Sequence, residues 1–124
     1  MNTILWIVQT LLALVFVAAG FSKLTLSKEK MVARMGWAQD FSPNALKAIG
    51  LAEVLGAVGL ILPALTGILP WLTPLAAIGL VLIMIGAAFT HFRRGEYPSI
   101  IANLVLLALA AFVAYGRFVL VPLS

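Results

Sequence analysis

Four apolar stretches succeed one another in this chain, at about residues 4–24, 45–62, 71–92 and 99–118. An α-helix rises about 1.5 Å per residue, so about 20 residues cover the roughly 30 Å of hydrocarbon in a bilayer. Each stretch therefore has the length of a membrane span. With 64% hydrophobic and 10% charged residues, the 124-residue chain carries more apolar surface than a water-soluble core absorbs. Soluble domains have roughly a quarter of their residues charged. The expected fold is all-α, a single transmembrane domain over 1–124. Its four helices form an antiparallel up-down bundle, with a short amphipathic segment between the first and second.

The first stretch carries one charge, Lys23, at its end, and no Lys or Arg precedes it. A secretory signal has basic residues ahead of its apolar run. This one is expected to be an uncleaved anchor, although Val17, Ala18, Ala19 and Gly20 resemble a cleavage site. From Thr25 to Lys47, charged residues alternate with Met31, Val32, Met35 and Trp37. That pattern suits an amphipathic segment at headgroup depth. Ser42, Pro43 and Asn44 read as a helix start, because serine caps orphan amides and proline is tolerated at the first helical position. Pro63, Gly67, Pro70 and Pro74 punctuate an uncharged connection.

Orientation follows from the basic residues, which are retained on the cytoplasmic side. Lys23, Lys28, Lys30, Arg34 and Lys47 flank the first connection and Arg93 and Arg94 the third. The second connection has none, and Arg117 lies near the C-terminus. Both termini are expected outside a bacterial inner membrane. Anionic lipid accounts for the positive charge, so nucleic acid is not an expected partner. Lys28, Lys30, Arg34, Arg93 and Arg94 form the expected anionic-lipid rim.

The absence of cysteine removes thiolate nucleophiles, disulfide exchange and iron–sulfur ligation by this chain. A single histidine excludes bis-histidine haem ligation and multi-histidine metal sites within it. No metal site is expected.

Polar residues inside the hydrocarbon are informative because an ionisable group there costs several kcal/mol without a partner or water. Lys23 ends the first span, Glu53 and Asn103 lie early in the second and fourth, and His91 ends the third. In an up-down bundle all four reach one depth, which predicts one polar pocket between four helices. Lys23 is the expected counter-ion of Glu53. The pair serves either as a proton- or ligand-binding site or as a structural ion pair that fixes helix register. His91 is expected to hydrogen-bond to Glu53, Asn103 or lipid phosphate, and Asn103 to bridge helices.

Ala52 with Gly56, Gly79 with Gly86, and Ala110 with Ala114 recur at helical spacing and predict close helix contacts. Gln9 and Arg117 share the outer end, where mutual contact and interfacial solvation explain them equally well. Trp6, Trp71 and Tyr115 at that end, with Tyr97 opposite, read as aromatic belts.

The order of motifs resembles the DoxX-like family of small four-helix membrane proteins. The match covers nearly the whole chain. It rests on Gly20-Phe21-Ser22-Lys23-Leu24, then Gly50-Leu51-Ala52-Glu53 with Gly56 and Leu60 to Pro63, then His91-Phe92-Arg93-Arg94-Gly95-Glu96, and last Asn103-Leu104. The resemblance implies a four-helix bundle, usually of unassigned activity. It also implies relatives linked to thiosulfate-quinone oxidoreductase and membrane oxidoreductase assemblies, with more distant ones like assembly chaperones for membrane receptors.

The expected role is a non-catalytic accessory or assembly subunit of a membrane complex, associating with other membrane proteins, with itself and with lipid. The alternative is a quinone-linked oxidoreductase subunit whose headgroup pocket is lined by Lys23, Glu53, His91 and Asn103. No intrinsic cofactor is expected, and a bound quinone or lipid is left open. A small lipid or solute transporter is the third reading, weakened by the lack of repeated halves with broken helices.

Overall fold

Runs of Leu, Ala, Val and Ile separated by capping residues form five α-helices in the computed structural model, which describes residues 1–122. They are α1 (Asn2–Thr25), α2 (Lys28–Arg34), α3 (Pro43–Thr66), α4 (Leu72–Arg93) and α5 (Tyr97–Tyr115). A 3-10 turn, Gly36–Asp40, follows α2, and α5 continues into a wider π-turn, Gly116–Leu120. No strand occurs among the described residues. α1, α3, α4 and α5 with its π-turn are each long and apolar enough to cross a membrane. The all-α class and the four spans are thus as expected, and the amphipathic segment consists of α2 and the 3-10 turn.

Capping chemistry explains the helix ends. The Ser42 hydroxyl accepts from the Ala45 N–H at 3.1 Å, with Pro43 next in the chain. At its other end α3 departs from expectation, because Pro63 lies inside the helix and not in the connection. Proline lacks an N–H and leaves the carbonyl four residues earlier, on Gly59, without its helical donor. The Thr73 hydroxyl of α4 donates to that carbonyl at 2.9 Å, and the Gln9 amide of α1 donates to the next, on Leu60, at 2.6 Å. Neighbouring helices thus satisfy acceptors around the proline, and α3 runs on to Thr66. Gly67 ends it in the left-handed region, φ 74°.

α3 packs between α1 and α4, while α5 packs on α4 and touches α1. Along α1 and α3 the contacts run in opposite sequence order: Gln9 meets Leu60, and Gly20 meets Gly50. The main core joins Leu12 and Phe16 of α1 to Ala57 and Leu60 of α3, Leu80 and Met84 of α4, and Ala110 and Val113 of α5. A separate small core forms around Met31, Ala38 and Leu46, with Met35, Trp37 and Phe41 against it. Large apolar side chains such as Leu14, Leu55, Leu82, Phe89 and Ile101 face outward from every long helix. Such a surface is suited to lipid rather than water.

The tightest helix approach is not one of the three predicted pairs. A Cβ on Gly20 would lie 2.5 Å from the Gly50 carbonyl oxygen, and one on Gly50 would lie 2.7 Å from that of Gly20. Here two backbones touch, as small residues permit in lipid. Gly56 does pack against Leu80, and Ala110 and Ala114 are buried. Gly79 and Gly86 make no helix contact, since a Cβ at either would meet nothing within 4 Å. Gly86 instead borders a cavity.

Candidate functional site

Lys23, Glu53, His91 and Asn103 line one cavity of about 520 Å³ between α1, α3, α4 and α5. That volume falls within the range of about 300–1,000 Å³ typical of small-molecule sites. Phe16, Met84 and Leu106 supply its apolar wall, the exposed Val15 and Leu82 border its opening toward lipid, and Met35, Trp37 and Phe41 form its remaining side. The chemistry is amphipathic: a cluster of polar groups bordering an oily chamber.

Lys23 Nζ lies 2.7 Å from Glu53 Oε1, with both side chains under 10% exposed. The Gly20–Gly50 crossing, one turn before each residue, brings the two helices close enough for this pair. Lys23 also sits over the Trp37 ring, 5.6 Å from its centroid. At 2.7 Å the Lys23 ammonium satisfies Glu53 Oε1 as its counter-ion. Asn103 donates through Nδ2 to Met84 Sδ at 3.5 Å, a weak acceptor, while its buried Oδ1 has no partner. One acceptor in the cavity is thus unsatisfied. Buried groups of this kind ordinarily find partners.

His91 pairs with neither Glu53 nor Asn103; its Nδ1 lies 2.8 Å from Glu96 Oε1. The cause is local. α4 ends in a Schellman motif, with Gly95 at φ 71°, the Glu96 N–H on the His91 carbonyl at 2.9 Å and the Gly95 N–H on that of Phe92. This 6→1 bond folds Glu96 back beside His91. Arg94 joins the group, with Nε 3.4 Å from Glu96 Oε2 and Nη1 donating to Asp40 Oδ2 at 3.1 Å. Its guanidinium is held above its ordinary pKa, chiefly by the Asp40 hydrogen bond. The hydrogen bond with His91, and then Arg94, holds the Glu96 carboxyl below the usual range.

Of the expected lipid rim, Arg94 is ion-paired with two carboxylates, Asp40 and Glu96. Arg93 is exposed and lies over Phe89, 5.8 Å from the ring centroid. Lys30 and Arg34 are exposed and Lys28 half-buried on α2.

Gln9 and Arg117 meet at the other end of the bundle. Arg117 Nε donates to Gln9 Oε1 at 2.7 Å, and Nη1 donates to Asn2 Oδ1 at 2.8 Å. Gln9 is fully buried and Arg117 is 2% exposed, so packing and not interfacial solvation explains them. The π-turn carries Arg117, and a Cβ on Gly116 beside it would meet Leu5 of α1 at 2.5 Å. Trp6 does more than form a belt, because the guanidinium lies 5.6 Å from its ring centroid.

Three residues of the Lys23 end were not singled out from sequence: Trp37, Asp40 and Glu96. For Glu96 a signal existed, since a glycine just past a helix end returns the next residue toward the last turn. Trp37 and Asp40 carry none, because their placement depends on how the segment between α1 and α3 folds back. Among the described residues no group of three or more His, Asp or Glu side chains is placed to hold a metal.

No curated protein and no solved structure gives a significant match to the chain. Residues 7–113 match the DoxX-like family, a span containing all four cavity residues and the Schellman motif. This multi-pass membrane protein belongs to the DoxX-like family.

Proposed function

We propose that the protein is a membrane-embedded binding subunit whose cavity holds the headgroup of a small lipophilic molecule of the quinone class. It is non-catalytic alone and acts as an accessory subunit of a membrane complex. One observation carries this reading: a buried acceptor, Asn103 Oδ1, lacks a donor in a cavity of ligand size bordered by the Lys23–Glu53 pair. A headgroup hydroxyl would satisfy it, and Lys23 or the Asn103 amide would donate to a headgroup carbonyl. The apolar wall suits a ring and the first part of a tail. With both termini outside, the cavity lies toward the cytoplasmic face of a bacterial inner membrane.

What supports the fit to a quinone is the mixed donor and acceptor set, rather than a redox group of the chain's own. When bound, a quinone would supply two-electron chemistry that Lys23, Glu53, His91 and Asn103 have no means to perform. These residues would orient the head, and Glu53 could exchange a proton with it.

Trp37 lines the cavity and serves as a reporter once Trp6 and Trp71 are replaced by Phe. Titration with a short-chain quinone should quench its fluorescence saturably, and Asn103→Leu should weaken binding about tenfold, as expected for loss of about 1.4 kcal/mol. Organic extracts of gently purified protein should contain quinone, and extracts of Glu53→Gln less. No quinone in the extract, together with quenching that neither substitution alters, sinks the proposal.

A further inference from the structure

We infer that residues 27–41 form a lid over the cavity, with Trp37 as its plug and Arg94 as its latch. As a gate for a ligand this rests on the binding role above; as a motion it rests on geometry alone.

Four observations carry it. The segment has a small core of its own, in which Met31 and Ala38 pack against Leu46 at the start of α3, and this core shares no residue with the main core of the bundle. Extended residues bound it: Ser27 at φ −67°, ψ 160° before α2, and Phe41 at φ −122°, ψ 146° after the 3-10 turn. Both are cap residues, the Ser27 carbonyl accepting from the Met31 N–H and the Phe41 N–H donating to the Ala38 carbonyl, so the pivots lie at the outer, extended side of each.

The lid also closes something. A second, polar recess of about 340 Å³ contains Arg34, Glu96 and Ser99 and shares Met35, Trp37, His91 and Asn103 with the cavity. Those four side chains are the partition between the two spaces, and the first two belong to the lid. Trp37 is set edge-on to His91, with ring centroids 6.2 Å apart, and covers Lys23. Moving it joins the oily chamber to the polar recess, so that water reaches Lys23 and Glu53.

Besides the apolar contact with Leu46, the polar fastening lies at one point. Arg94 Nη1 donates to Asp40 Oδ2, and Gln39, with its amide oxygen turned toward the guanidinium, accepts from Nη1 and Nη2 at 3.0 Å. Gly36 lies directly against the same group, since a Cβ there would be 3.3 Å from Arg94 Nη2. The Asp40 side chain is about half exposed. A solvated pair of this kind is weak enough to open thermally.

The chain has no native cysteine, so one introduced thiol reports access cleanly. Ala87→Cys places it on the cavity wall. Its modification by a charged, membrane-impermeant thiol reagent should be slow in the otherwise unaltered full chain. Arg94→Gln and Trp37→Ala should each accelerate it at least tenfold, and Arg93→Gln, four residues from Phe89 and outside the latch, should leave it unchanged. If Arg94→Gln fails to fold, Asp40→Asn breaks the latch from its exposed side and should accelerate modification likewise. Equal rates in the latch variants and the parent overturn the lid, as does equal acceleration by Arg93→Gln. The assay needs no ligand, so a failed lid with intact quinone binding leaves the binding role standing, and the reverse result leaves the lid.

Discussion

The two ends of the bundle treat buried polarity in opposite ways. At one end Lys23 and Glu53 face each other across the border of a cavity, with the Asn103 carbonyl oxygen beside them still unmet. At the other, Arg117 is packed to 2% exposure against Gln9, which in turn supports the Leu60 carbonyl beside Pro63. The first end is charged and hollow; the second spends its polar groups on joining helices. Polar residues inside a membrane protein are therefore not equivalent signals. The difference lies in whether they border a cavity or are packed between helices.

The hollow end should suffer most from loss of one charge. Glu53→Ala leaves Lys23 buried without a partner, at a cost of about 3–5 kcal/mol. Thermal unfolding in detergent should register this. The double change Glu53→Gln with Lys23→Met should recover most of the loss, and additive losses would show that the two residues are not coupled. Next in size is the backbone crossing that supports the pair. Gly20→Val forces α1 away from α3, with about 1–3 kcal/mol lost to overpacking and the Lys23–Glu53 separation widened. An unchanged melting temperature would mean that the crossing is looser than 2.5 Å implies.

At the packed end Gln9→Leu removes the acceptor of Arg117 and the donor to Leu60 together, for about 1–3 kcal/mol. Quinone binding at the far end should not change, and a parallel loss of binding would erase the contrast between the ends. Gly95→Ala costs about 1–2 kcal/mol for a left-handed alanine and should loosen Glu96 from His91. Backbone amide exchange at Glu96 reports it.

The smallest effect concerns pH at the latch. Because the folded Glu96 carboxyl lies below its ordinary value of 4.5, its contribution is complete above that value. It is lost as pH falls through the lower folded value. Thiol access at Ala87→Cys, taken relative to the modification rate of a free thiol at each pH, should therefore stay constant down to about the ordinary carboxylate range and rise below it. Glu96→Gln should diminish that acid step, leaving the part that belongs to Asp40.

The spans, the depth of Lys23 and Glu53 and their pairing were legible because bilayer thickness and the cost of an unpaired charge act on sequence directly. Asn103 and His91 followed from the same reasoning about depth. The partner of His91 was not found that way, because burial cost says that a partner exists without saying which one. The glycine after α4 decided it, through backbone geometry. Pro63 misled for a related reason: its meaning depends on Thr73 and Gln9, which lie 10 residues after it and 54 before it in sequence. Gly79 and Gly86 show the limit of small-residue spacing, which marks room on a helix without saying whether a helix or a void fills it.

The backbone contact at Gly20 and Gly50 gives α1 and α3 a shared pivot, and the Schellman turn ties the start of α5 to the end of α4. The cross-links between these two pairs described above, Gly59 with Thr73, Gly56 with Leu80 and Gln9 with Arg117, lie toward the Arg117 end. The molecule is thus built like a clothes-peg, two stiff arms joined at one end. At the open end the segment from α2 to Phe41 is the crossbar, resting on Leu46 of one arm and Arg94 of the other.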